Sequence, residues 1–103
     1  MLHVLAIVTA RPGQRGPLLA LFRTIVPAVR AEPGCIEYCA TVDADDFQGF
    51  SKTAAGTDTF IVVEKWASAE ALETHAVAAH MRDYGAKAKA LIASRVIHVL
   101  SPA

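Results

Sequence analysis

A chain of 103 residues has the length of one domain, read here over residues 1–103, and can bury a core without staples. Ten Lys and Arg balance ten Asp and Glu, so formal charge is zero; with no basic cluster, nucleic acid and anionic membranes are not expected partners. Hydrophobic residues reach 53% and charged residues only 19%, against about 45–50% and about 25% in ordinary soluble domains, and that apolar surplus predicts an oligomer.

His3 to Ala10 is a nearly continuous apolar run and predicts a first strand. A signal peptide is not expected, because the run lacks a basic leader and Arg11-Pro12-Gly13 interrupts it. No run approaches a membrane span. A helix is predicted from Gly16-Pro17, with Pro17 tolerated in the first turn. Leu18, Leu21, Phe22, Ile25 and Val29 give it a buried stripe. Pro27 should kink it near its end, and Glu32-Pro33-Gly34 stops it.

Cys35 to Val42 predicts strand two, with Ile36, Tyr38, Ala40 and Val42 on one face and Cys35, Glu37, Cys39 and Thr41 on the other. Two cysteines four apart on a strand are about 13 Å apart, too far for a disulfide, which needs Cα atoms within about 7 Å. Free thiols fit a reducing, cytoplasmic setting. Asp43-Ala44-Asp45-Asp46 breaks the strand. The segment to Asp58 is long for a connection, and its Phe47 and Phe50 predict either a short extra strand or a flap over a hollow.

Thr59 to Trp66 is β-branched and aromatic and predicts strand three. Phe60, Val62, Glu64 and Trp66 share one face. Ser68 fits a helix N-cap, and Glu70 suits the first turn. Leu72, His75, Ala76 and Ala79 follow at helical spacing. The stretch His80 to Gly85 predicts a break or bend, Ala86 to Ala93 a further helical piece, and Arg95 to Leu100 strand four.

The order β-α-β-β-α-β predicts an α+β, ferredoxin-like antiparallel sheet with its helices on one side. The other face is apolar and uncovered, which predicts face-to-face pairing into a homodimer. A helix returning over strand three brings an aromatic, Trp66, an acid, Glu64, and an imidazole, His75, around one hollow. Tyr38 is expected on its inner face, with Met81 and Tyr84 closing the helix side. An imidazole has its ordinary pKa near working pH, which suits a general base. His75 is the first candidate, because it follows Leu72 by three and so faces the sheet, with Glu64 to hold the imidazolium. His80, at the predicted break, is the reserve and a substrate contact. Neither histidine has a third donor nearby in sequence, and the cysteines lack metal-type spacing, so no metal is expected.

With this element order, the chain resembles the antibiotic biosynthesis monooxygenase domain family over nearly its whole length. The resemblance rests on Arg11-Pro12-Gly13-Gln14, Glu32-Pro33-Gly34-Cys35, Tyr38, Glu64-x-Trp66-x-Ser68, Leu72, His75 and His80-Met81. Ile25-Val26-Pro27, Val42-Asp43 and His80-Met81 with Tyr84 resemble its small bacterial quinol monooxygenases. The resemblance implies a dimeric α+β barrel with a cavity between sheet and helices. It also implies oxidation of a quinol or polycyclic phenol by O₂ with no cofactor, neither metal nor flavin. Haem-degrading relatives, and some polyketide-oxidising ones, use an asparagine that this chain lacks altogether. Two alternatives remain: an isomerase or lyase on the same scaffold, and a non-catalytic dimeric module that holds an aromatic ligand. Relatives that isomerise phosphorylated sugars would need cations in the hollow, and no such cluster is visible in the sequence.

Overall fold

A computed structural model describes all 103 residues. Four strands, β1 (Leu2–Ala10), β2 (Cys35–Thr41), β3 (Thr59–Trp66) and β4 (Ile92–Leu100), form one antiparallel sheet in the order β2-β3-β1-β4. Three helices, α1 (Arg15–Arg30), α2 (Ala69–Ala76) and α3 (Ala79–Ala88), complete a ferredoxin-like α+β fold, with a short 3₁₀ turn over Lys89–Leu91.

Alternation decides which face of the sheet is covered. Val4, Ala6, Val8 and Ala10 of β1 are buried, as are Phe60, Val62, Glu64 and Trp66 of β3. Leu18, Leu19, Phe22, Ile25 and Val29 of α1 pack against them. Leu19 therefore joins the stripe, while Leu21 is only partly buried. The helix continues through Pro27 to Arg30. There the Arg30 guanidinium donates to the Tyr38 carbonyl at 3.0 and 3.2 Å, tying the end of α1 to β2.

The structure departs from the sequence reading at several points. In β2 the register slips between Cys35 and Glu37, so Cys35 pairs with Trp66 and Tyr38 with Glu64. The bulge turns Cys35 toward the core and leaves Ile36 exposed, reversing the faces that strict alternation assigned to those two. The break in the second helix comes at Val77-Ala78, before His80, where Ala78 adopts an extended conformation. Gly85 lies inside α3, and β4 starts at Ile92. Residues 43–58 form no strand. The Asp43 carboxylate accepts the N–H groups of Ala55 and Gly56 at 2.8 and 3.0 Å, which closes the loop on itself. Phe47 and Phe50 stack edge to face there, and Phe50 is 74% exposed.

Candidate active site

A cavity of about 460 Å³ lies between the inner face of the sheet and the helices. Fourteen of its 19 lining residues are hydrophobic, so it suits an apolar or aromatic ligand. Its polar groups are few: Glu64, His75, Arg82 and Arg95, with the hydroxyls of Tyr38 and Tyr84.

His75 reaches this wall because α2 is started and seated locally. The Ser68 hydroxyl accepts the Ala71 N–H at 3.2 Å and caps the helix. The turn before β2 then receives α2. Gly34, at φ +84°, passes so close that a Cβ there would stand 2.6 Å from the Ala71 Cβ. The Ala67 N–H donates to the Gly34 carbonyl at 2.8 Å. This close approach brings Glu32, just before Gly34, against α2.

The consequence is a carboxylate shared by two imidazoles. Glu32 Oε2 lies 2.8 Å from His75 Nδ1 and 2.9 Å from His80 Nε2. A carboxylate accepts, so His75 carries its proton on Nδ1 whenever it is neutral. Its Nε2 is then a free lone pair. That nitrogen makes no hydrogen bond and is not sealed off, since Glu32 Oε1 alone is a buried side-chain polar atom without a partner. The His75 ring packs against Trp66, centroid to centroid 4.6 Å, and edge-on to Tyr38 at 5.6 Å.

Glu64 is 6% exposed. The Trp66 indole N–H donates to its Oε1 at 2.9 Å. Burial pushes the Glu64 carboxyl up, while the indole N–H and the neighbouring His75 pull it down. Burial also pushes Tyr38 far up, with Glu64 adding to it. It raises Tyr84 too, against the pull of Arg95. Both phenols therefore stay protonated at working pH, and each hydroxyl can donate to an oxyanion or accept from an O–H or N–H of a ligand.

Five of the residues singled out in the sequence meet on this wall: Tyr38, Glu64, His75, Met81 and Tyr84. Trp66 and His80 do not line it. Trp66 is fully buried behind His75 and Glu64, and His80 lies beyond Glu32. The partner of His75 Nδ1 is Glu32 rather than Glu64, which is bonded to Trp66 instead. Glu32 is 43 residues from His75, so no local pattern could have joined them. It is also the third donor beside the two histidines that sequence spacing did not reveal. Arg82 and Arg95, likewise unanticipated, line the cavity from exposed positions, with no carboxylate bound to either.

The comparisons with known proteins point one way. The family model for antibiotic biosynthesis monooxygenase matches residues 1–87. A protein described as probable quinol monooxygenase YgiN, from Escherichia coli (strain K12), is 36% identical over 104 residues, covering 99% of this chain and 98% of that one. Among solved structures, PA3566 from Pseudomonas aeruginosa superimposes with a TM-score of 0.81 at 28% identity, covering 99% of this chain and 93% of that one. Rv0793 from Mycobacterium tuberculosis gives a TM-score of 0.80 at 27% identity, covering 99% and 94%. With its sheet order, its cavity and this match, the chain belongs to the antibiotic biosynthesis monooxygenase family.

Proposed function

We propose that the protein is a cofactor-independent monooxygenase or oxidase that acts with O₂ on a quinol or polycyclic phenol held in the 460 Å³ cavity. One observation carries the reading: Glu32 Oε2 lies 2.8 Å from His75 Nδ1, which leaves Nε2 as the free lone pair of a histidine that lines a mostly hydrophobic cavity. His75 Nε2 takes the phenolic proton, and the Glu32 carboxylate holds the resulting imidazolium through Nδ1–H. The phenolate is electron-rich enough to reduce O₂, which the neutral phenol does only slowly. Tyr38 and Tyr84, kept protonated, can donate to the new oxyanion, and Arg82 and Arg95 add positive potential. Glu64 accepts the hydrogen bond of a second substrate hydroxyl. Met81 completes the apolar contact, while Trp66 and His80 act from behind the wall by fixing Glu64 and Glu32.

The electrons balance without a further reductant. As an oxidase, the enzyme takes two electrons and two protons from the quinol, giving quinone and hydrogen peroxide. As a monooxygenase, one oxygen atom enters the ring, the other leaves as water, and the substrate supplies all four electrons. The relative described as a probable quinol monooxygenase supports this choice of substrate. Two free cysteines on opposite faces of β2 suit a reducing compartment, the cytoplasm. No helix is long and apolar enough to cross a membrane. The working unit in this reading is a homodimer.

The test is oxygen uptake across a panel of quinols and anthrones, with product masses. General-base catalysis is typically worth about 10²–10⁴-fold, so His75→Ala is expected to slow uptake by at least about a hundredfold. A rate within about threefold of wild type removes His75 from the role. Arg82 and Arg95, exposed residues that line the cavity, favour one competitor, an isomerase for an anionic, phosphorylated substrate. It would use the same base yet consume no oxygen.

A further inference from the structure

The Glu32 carboxylate is bonded in an unusual way. Both imidazoles crowd onto Oε2, at 2.8 and 2.9 Å, while Oε1 is buried with no partner. Two N–H donors would be served better by one oxygen each, and a dehydrated carboxylate oxygen is unfavourable. Hydrogen bonding alone therefore leaves part of this arrangement without a cause. All three groups, meanwhile, offer donor atoms within 4.8 Å of one another.

We propose that Glu32, His75 and His80 bind one first-row divalent cation, zinc foremost, on the side of His75 away from the cavity, and that the bound ion disables His75 as a base. Two imidazole nitrogens and a carboxylate form a borderline donor set that suits zinc and not magnesium. At the tetrahedral angle, metal–ligand bonds of about 2.0–2.2 Å put neighbouring donors about 3.3–3.6 Å apart; the N···O separations of 2.8 and 2.9 Å are shorter than that by about half an ångström, and all three donor atoms lie within 4.8 Å of one another. Seating the ion needs a turn of the carboxylate that brings Oε1 into use and a small adjustment of the two imidazoles around it. A path exists as well. Glu32 lines a second hollow at the surface, together with Ser68, Glu70 and Thr74, and Glu70 adds negative charge to it. His75 lines the inner cavity and Glu32 the outer hollow, so their contact lies between the two.

The consequence for chemistry follows from the tautomer. An imidazole that gives its Nδ1 lone pair to a metal carries its proton on Nε2. The nitrogen facing the cavity then donates and cannot accept. Metal occupancy and base catalysis at His75 exclude each other. The binding claim stands by itself; the loss of turnover rests on the oxidase reading above.

The full chain, stripped by a chelator, is titrated calorimetrically with Zn²⁺ and with Mg²⁺, and its metal content is measured after dialysis. One zinc per chain at micromolar affinity or better, with no magnesium heat, is expected. Glu32→Gln and His80→Ala should each weaken zinc binding by at least about tenfold. His80 is 31% exposed, so its variant remains informative even if Glu32→Gln fails to fold. Imidazole ¹⁵N shifts should report coordination at His75 Nδ1 and His80 Nε2. His3 and His98 are near neighbours across β1 and β4, so the double variant His3→Ala/His98→Ala should keep the site. Sub-stoichiometric zinc, affinity unchanged in Glu32→Gln and His80→Ala, or loss in the His3/His98 variant overturns the site. Oxygen uptake that persists at saturating zinc overturns the disabling step. If no quinol supports uptake in the stripped protein while zinc binds as described, the oxidase reading falls and the metal site stands.

Discussion

At the scale of single residues, Glu64 and Trp66 form a unit whose energetics can be measured apart from turnover. The alternation of β3 made their shared face legible in the sequence, and their indole–carboxylate bond follows from it. Burial raises the Glu64 pKa in the folded protein above its unfolded value of about 4.3. Between those two values the folded state binds more protons than the unfolded one. Stability should therefore fall as pH rises through that window and level off above the folded value. Glu64→Gln, which keeps an acceptor for the indole, is expected to abolish the slope; urea midpoints taken in steps from about pH 4 to 8 would reveal an unchanged slope if this is wrong. Trp66→Phe removes the donor and leaves a buried carboxylate oxygen unpaired, a loss of about 1–3 kcal/mol. Because Trp66 does not line the cavity and a quinone offers no hydroxyl for Glu64 to accept, quinone affinity should survive that change; a drop in affinity beyond the stability loss would show that the indole governs binding, directly or through Glu64 and His75. Glu32 is the contrasting case: nothing in Glu32-Pro33-Gly34 marks its carboxylate as the partner of two histidines, because only the fold brings them together.

At the scale of elements, the sequence was most readable where local chemistry alone sets a boundary. Strand β3 runs from Thr59 to Trp66 as its composition predicts, and the Ser68 cap starts α2. The bulge at Ile36 and the placing of the break at Val77-Ala78 carry no local signal, since neither stretch holds a Gly or Pro. Gly85, at the end of the stretch from His80 that predicts a break or bend, lies within α3, where helical context outweighs its modest propensity cost. The turn at Gly34 joins element to site. Its φ of +84° and its approach to Ala71 leave no room for a side chain. Gly34→Ala should cost more than about 1 kcal/mol. It should also push α2 outward and stretch the Glu32–His75 contact. The imidazole ¹⁵N spectrum would then lose the fixed Nδ1–H tautomer of His75. A variant that is destabilised yet keeps that tautomer would show that the turn supports the fold without setting the base.

At the scale of the whole molecule, the element order made the ferredoxin-like sheet legible, and the same order exposes what the fold leaves unfinished. All the helices pack on the face that holds Val4, Ala6 and Val8. The opposite face carries Leu5 and Ile7 of β1, Ile61 and Val63 of β3, and Val96 and Leu100 of β4. Val96 is 51% and Leu100 44% exposed. β4 is also an edge strand, and an apolar edge left open is a pairing hazard unless something covers it. Burial of apolar area contributes about 25 cal/mol per Å², and a stable interface buries about 800 Å² on each partner. A second copy laid face to face on this sheet covers the apolar strip with an identical one and needs no other partner. Sedimentation at micromolar concentration is therefore expected to give a dimer. Val96→Glu, which adds a charge at a position already half exposed, should leave the single chain folded and shift the sedimentation coefficient to that of a monomer. A wild-type protein that sediments only as a monomer, or a Val96→Glu variant that remains fully dimeric, would rule out this face as the interface.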